Sequence, residues 1–282
     1  MSKKISFENK RGKVEMFLGG IGPVRVTALS GFGNPERSYN AVNFAGKDGQ
    51  KTLSSVACPR TMIISGDIRC QNRAVTEHIF RVLDGEGTLV LEFDEKIRKI
   101  KCNQVRFEDG ERNGSFMKFV LTLKADGVYF NDISPTRTSV FERQEMLEGD
   151  IVFPCIFTKK TTTAWAYNCG EVDAEPVIKI YNFLDRQNQP EGGIVIENLT
   201  TGQKIKLNTG MVENEVITID IPERRVTSSV RGNIVHTISD DTFLNRFVLE
   251  PGKNLLSANH GNVGEEISVV CICDSNYREG IY

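Results

Sequence analysis

The side chains with the widest chemical reach in this chain of 282 residues are three histidines, His78, His236 and His260, and seven cysteines, at 58, 70, 102, 155, 169, 271 and 273. Histidine could shuttle protons or ligate a metal, and a thiolate could act as nucleophile or zinc ligand, provided that partners recur at fixed spacings. None does. The histidines are far apart, no HExxH pattern or nucleophile elbow occurs, and the cysteines lack metal-like spacing. Cys271 and Cys273, two apart, would share one side of a strand and are read as small core residues. Paired acids such as Asp94-Glu95 and Asp240-Asp241 are adjacent, which places one on each strand face or both in a loop, whereas paired-carboxylate catalysis needs convergence at a set separation. The residues therefore predict no catalytic, cofactor-binding or metal site, and a protein that is not an enzyme.

Two patterns remain that could bind. Trp165 and Tyr167 are two residues apart, so on a strand their rings share a face, either as core or as a sugar-stacking platform. Lys96, Arg98, Lys99, Lys101 and Arg106 form a basic segment without interleaved aromatics for base stacking, and are read as protection for an exposed sheet edge. A formal net charge of -2 argues against a dedicated nucleic-acid binder, whose affinity would rest on phosphate neutralisation. The sequence has neither a signal-peptide h-region nor an apolar run of membrane-spanning length, so we expect no membrane partner. The odd cysteine number predicts reduced, packed thiols and cytoplasmic synthesis.

The elements that would carry these residues are mostly strands. Gly193 to Ile221 alternates through a strand, a turn at Leu199-Thr200-Thr201-Gly202, a second strand, and a third with Ile217, Ile219 and Ile221 on one face. Such a meander needs a second sheet to cover it. Leu89, Leu91 and Phe93, and later Phe119, Leu121 and Leu123, predict two more half-buried strands. Arg60 to Ile68 predicts another, ending near Gly66. One helix follows, with Asn72 as its cap, Val75, Ile79, Val82 and Leu83 on its inner face, a Glu77/Arg81 pair outside, and Gly85 as its stop. His78 falls at the margin of that face. Gly31 to Gly49 reads as a long loop: a lid, an arm or an interface loop. Ile151 to Phe157 is apolar, Lys159 to Thr163 is the candidate seam, and Phe243 to Leu249 and Ile267 to Cys273 are late apolar runs. Length suggests two domains, expected at 1–160 and 161–282.

Several segments together resemble the distal tail protein family of long-tailed phages. In the first half they are Lys47-Asp48-Gly49, the run Pro59-Arg60-Thr61-Met62-Ile63-Ile64-Ser65-Gly66, and Leu121 to Phe130. In the second they are Asn168-Cys169-Gly170-Glu171-Val172 with Glu175-Pro176, then Glu197-Asn198-Leu199-Thr200-Thr201-Gly202-Gln203 with Ile205-Lys206-Leu207. Ile217-Thr218-Ile219-Asp220 and Phe247 to Asn254 complete the set. Asp126-Gly127-Val128-Tyr129 departs from the family's Asp-Pro and aromatics, and the polar segment Ile133 to Gly149 does not fall into the family pattern. The resemblance implies a mainly β fold: a ring-forming β-sandwich or split-barrel domain with one short helix, then a galectin-like β-sandwich. It implies a structural hub, usually a homo-hexameric ring, at the virion tail tip. Its expected partners are the tail tube protein, the tail-tip or tail-associated protein, and receptor-binding proteins. The alternative reading is a carbohydrate-binding β-sandwich module that aids attachment to the host surface through Trp165 and Tyr167.

Overall fold

In a computed structural model of the chain the described residues are 3–19, 22–46, 48–70, 72–141, 163–182, 193–259 and 267–280. They form two compact units, Met1–Ile133 with Tyr277–Tyr282, and Ser134–Asn276. The chain therefore leaves the first unit once, builds the second, and returns. The first unit holds β1 (Lys4–Asn9), β2 (Gly12–Leu18), β3 (Val24–Ser30), β4 (Arg37–Asn43), β5 (Gln50–Ala57), β6 (Arg60–Arg69) and the helix α1 (Arg73–Val82). It continues with β7 (Gly87–Phe93), β8 (Lys96–Cys102), β9 (Gln104–Asn113), β10 (Phe116–Ala125) and β11 (Phe130–Asp132). The second unit holds β12 (Thr136–Phe141), β13 (Thr163–Asn168), β14 (Val177–Asn182), β15 (Ile194–Asn198), β16 (Gln203–Leu207), β17 (Val216–Asp220) and β18 (Arg225–Ser228). After β19 (Gly232–Asn233), β20 (Gly252–Asn259) and β21 (Ile267–Cys273), the two-residue β22 (Asn276–Tyr277) marks the return.

Period-two alternation builds the first unit. Ile5 and Phe7 on β1, Met62, Ile64 and Ile68 on β6, Leu89, Leu91 and Phe93 on β7, and Phe119, Leu121 and Leu123 on β10 all point into one core, as strands with one dry face require. The sheet runs β22-β11-β8-β7-β1-β2-β3-β6-β10-β9. A single residue, Asn103, separates β8 near one end of that order from β9 at the other. The sheet therefore curls round one core without a ladder closing it into a barrel. Gly66 does not end β6 as expected but sits inside it, because a Cβ there would lie 2.0 Å from the Arg25 carbonyl oxygen of β3. The helix lays Ile79, Val82 and Leu83 into the same core, and the Asn72 Oδ1 accepts the Ala74 amide at 3.0 Å as its cap. Its outer ion pair is Arg73–Glu77 at 2.7 Å, not Glu77–Arg81. Arg81 instead lies 3.3 Å from the His78 Nδ1.

The second unit is a sandwich of two sheets, β12-β21-β14-β17-β18-β19 and β13-β20-β15-β16, around a separate core that includes Ile217, Ile219, Ile221, Cys271 and Cys273. The Gly193–Ile221 stretch is not one meander as expected: β15 and β16 pair as a hairpin in one sheet, while β17 crosses to the other and lies between β14 and β18, so the stretch contributes to both layers of the sandwich. The expected boundary at 160/161 differs from the division at 133/134. β12 lies before that expected boundary yet pairs along its length with β21, from Thr136↔Cys273 to Phe141↔Val269, and such a ladder cannot be anticipated from local pattern. The candidate seam and the Ile151–Phe157 run fall outside the described residues, save Thr163, which starts β13. The Phe243 to Leu249 run is no strand. Phe247 and Leu249 are fully buried, but a single 3₁₀ turn, Leu244–Arg246, precedes them.

That irregular buried segment is held by side-chain amides. Asn198 donates to the Val248 carbonyl at 3.0 Å and to the Asn254 Oδ1 at 3.2 Å, and Asn168 donates to the Leu249 carbonyl at 2.9 Å. Gln203 accepts the Val248 amide, and Asn254 both accepts the Glu250 amide and donates to the Glu250 carbonyl. Buried backbone groups that no ladder reaches need such partners. At the other buried polar centre the Glu215 carboxylate receives Arg231 Nε at 2.8 Å, the Val212 amide at 2.7 Å, and the Ser228 hydroxyl. Burial by itself pushes the Glu215 carboxyl up. Those hydrogen bonds and the Arg231 charge outweigh it and hold the group below its ordinary value.

Asn198→Ala should destabilise the second unit by about 2–3 kcal/mol, because it strands buried donors and acceptors together; urea unfolding checks this, with no comparable loss expected for the exposed Leu199→Ala. The folded-state Glu215 carboxyl titrates below its unfolded value, so its stabilising contribution is present above the unfolded pKa and is lost as pH falls through the folded one. Melting temperatures measured across the acid range should accordingly fall less steeply in Glu215→Gln than in the parent chain.

Candidate assembly surfaces

β4 and β5 form a sheet of their own, where a loop from Gly31 to Gly49 was expected. Their strands pair from Arg37↔Ala57 to Asn43↔Gln50 with a bulge after Asn40. The local pattern failed because neither face is buried and so no apolar alternation marks it. Tyr39 is 63% exposed and Val56 67%, with Val42, Phe44 and Leu53 also exposed. A two-stranded ribbon that is wet on both faces is marginal in water by itself. Large apolar side chains on both faces, together with unpaired strand edges, are the signature of a segment that another surface covers.

The root of this arm is fixed. Phe32 is buried and stacks on Phe130 at 6.4 Å between ring centres, and Gly31 has φ +81 with the Thr61 carbonyl where a Cβ would sit. Arg60, only 4% exposed, spreads its guanidinium over four backbone carbonyls: Gly31 at 2.9 Å, Gly33 at 2.6 Å, Val128 at 2.9 Å and Arg278 at 2.7 Å. Its Cζ lies 4.6 Å from the Phe130 ring centre. Burial lowers the Arg60 pKa from its ordinary value, with Tyr129 acting in the opposite sense, but a guanidinium stays charged through any such shift. One side chain thus ties the base of the arm to β6, to the Val128 turn and to the returning segment. Arg98 helps, donating to the Glu279 carbonyl with its Cζ 4.1 Å from the Tyr277 ring centre, and the Gly280 amide donates to Phe32.

That use of Arg98 corrects the reading of the basic segment. β8 is not an edge, since β11 pairs with it at Asn131↔Lys99 and Asp132↔Arg98. Of the five cations only Arg106 lies on an edge strand, β9, where it pairs with Glu108. Sequence could not single out Arg98 from four neighbouring cations, because the ladder that buries it comes from residues some thirty positions later.

Trp165 and Tyr167 share the outer face of β13, 52% and 43% exposed, while Ala166 and Asn168 between and after them are buried. Lys253 Nζ lies 5.8 Å from the Tyr167 ring centre. The other candidates scatter. His78 packs against the Lys13 carbonyl, His236 is in a 3₁₀ turn, and His260 is outside the described residues. Asp94 and Glu95 form the β7–β8 turn at positive φ, and Asp241 pairs with Lys204 at 2.7 Å. Burial pushes the Cys102 thiol up to about 12 and the Cys271 thiol up as well, so both are inert core residues. Among the described residues no three His, Cys, Asp or Glu side chains come together as a metal site.

Residues 169–269 match the family model described as the siphovirus-type tail component, C-terminal domain, of the SPP1 Dit type. That is a model of the distal tail protein family, and its match lies within the second unit of this chain. The likeness in fold extends over most of the length. The Dit protein of phage SPP1, described as a paradigm of hub adsorption apparatus in phages infecting Gram-positive hosts, superposes with a TM-score of 0.62 at 13% identity, covering 88% of this chain and 91% of that one. Chains from baseplate structures of phage P2 in the activated conformation, with Ca and with Sr, give TM-scores of 0.47 and 0.39 at 11% and 12% identity, covering 100% and 95% of this chain and 100% and 97% of theirs. No curated protein matches by sequence.

The family-like motifs now have physical reasons. Asn168, Asn198, Gln203 and Asn254 are the side chains that fasten the buried Phe247–Gly252 segment, and Arg60 in the Pro59–Gly66 run is the clamp at the arm's root. Arg60→Met should therefore lower the stability of the first unit by about 3 kcal/mol or more in denaturant unfolding. Arg60→Lys should recover only part, because a point ammonium cannot fan across four carbonyls.

Proposed function

We propose that this protein is a structural component at the distal end of a phage or phage-like tail, where copies close into a ring, six by the family resemblance. The observation that carries this reading is the β4–β5 arm. It presents apolar groups on both faces and rises from a root held by a buried arginine. A closed ring needs head-to-tail contact between unlike patches, and an arm reaching to a neighbouring copy provides one half of such a contact. The family match of the second unit and the SPP1 Dit-like fold support placing that ring in a tail. In this reading the ring joins the tail tube to tail-tip and receptor-binding proteins. The protein acts by holding them, without turnover.

Light scattering and negative-stain microscopy of the purified chain test this. The expected result is annular particles whose fraction rises with concentration. Tyr39→Asp combined with Val56→Asp should shift the protein to monomers while its circular dichroism and melting temperature stay close to those of the parent, since both side chains are exposed on the arm. A parent chain that remains monomeric at every concentration overturns the reading.

A further inference from the structure

The outer face of the β13-β20-β15-β16 sheet carries an aromatic corner that the ring reading does not use. On β13 the inward positions are taken by Ala166 and Asn168, so the outward rings of Trp165 and Tyr167 are not overflow from a crowded core. Across the ladder Thr163 faces Ser257, Trp165 faces Leu255 and Tyr167 faces Lys253. Two rings and one half-buried leucine are thus bordered by a hydroxyl pair on one side and an ammonium on the other. Beyond them the exposed Leu199 lies beside Leu255, its amide donating to the Leu255 carbonyl at 2.8 Å, and the rest of the face is charged, with Glu197 opposite Lys204 and Lys204 already tied to Asp241.

We propose that this corner is a saccharide-binding platform, with Trp165 and Tyr167 as its stacking surfaces. A pyranose ring has one face of C–H bonds and a rim of hydroxyls. It needs a flat apolar surface with hydrogen-bonding groups at its border, and that is the composition of this corner. Residues i and i+2 on a strand are roughly 6.7 Å apart along its axis, so the two rings can lie under neighbouring units of one sugar chain. Thr163 and Ser257 supply donors and acceptors at one end, and Lys253 supplies donors at the other. A protein partner fits less well. A stable interface buries about 800 Å² per partner around an apolar centre, whereas here the apolar surface is a small cluster, the two rings with Leu255 and the neighbouring Leu199, that gives way to paired charges. Aromatic cross-strand pairs also stabilise sheets by themselves, and the test separates that role from binding.

Trp165 is the single tryptophan of the chain, so intrinsic emission reports on this corner without labelling. The full chain is titrated with oligomers of N-acetylglucosamine, of glucose and of galactose. At least one should produce a saturable emission change and protect Trp165 from acrylamide quenching. Tyr167→Ala should weaken that binding by about tenfold or more, and calorimetry should find no binding in Trp165→Ala. Melting temperatures check that both variants fold, and Val230→Ala, an exposed apolar change elsewhere on the unit, should bind as the parent does. Silence across the three series overturns the proposal, as does binding that survives in the Trp165→Ala, Tyr167→Ala double variant. Emission that responds only to protein concentration also overturns it, by assigning the corner to contact between copies. Only that last outcome touches assembly, and ring formation itself is read separately by light scattering.

Discussion

Both units depend on side-chain donors that enter the interior to satisfy backbone carbonyls no ladder reaches. A strand satisfies its own polar groups through its neighbours, so a β-protein of this size could be held by apolar burial and ladders alone. The irregular segments are the difficulty, because they too are buried. In the second unit asparagine and glutamine amides fasten Phe247–Gly252. In the first, the Arg60 guanidinium gathers four carbonyls from three separate stretches of chain. An unmade hydrogen bond in such a place costs more than a made one contributes, which is why these few polar residues constrain the fold as firmly as the large apolar ones.

The same constraint links fold to role. The chain leaves the first unit at Ile133 and returns at Tyr277, and the returning segment is gripped by the two buried arginines. One of them, Arg60, also holds the base of the β4–β5 arm. The arm then projects with both faces wet from a root fastened by buried hydrogen bonds, and the ring proposed above would use that root to set the contact each copy repeats.

The strands were legible where one face is dry and the other wet. Leu89, Leu91 and Phe93, Phe119 to Leu123, and Ile217 to Ile221 each alternate because the core selects every second residue, and the helix announced itself through its cap and inner stripe. The arm was legible as a long excursion but not as a pair of strands, because burial imposes no pattern on a ribbon that is exposed throughout. The apolar Phe243 to Leu249 run misled for the opposite reason: Phe247 and Leu249 are buried in an irregular segment whose backbone is satisfied by distant asparagines. Trp165 and Tyr167 were placed on one face by their spacing alone, but spacing is indifferent to whether that face is inside or outside.

By itself the sequence determined that the protein is mainly β, that its chemistry-bearing residues lack the spacings of a catalytic or metal centre, and that its ordered motifs resemble distal tail proteins. These are properties of local pattern and residue type, which persist however the chain is folded. Only the tertiary structure decided that β12 belongs with β21, that Arg60 and Arg98 face inward, and that the aromatic pair faces solvent. Each of those outcomes depends on which distant segment lies alongside, and pairing between segments more than a hundred residues apart is selected by the free energy of the whole core.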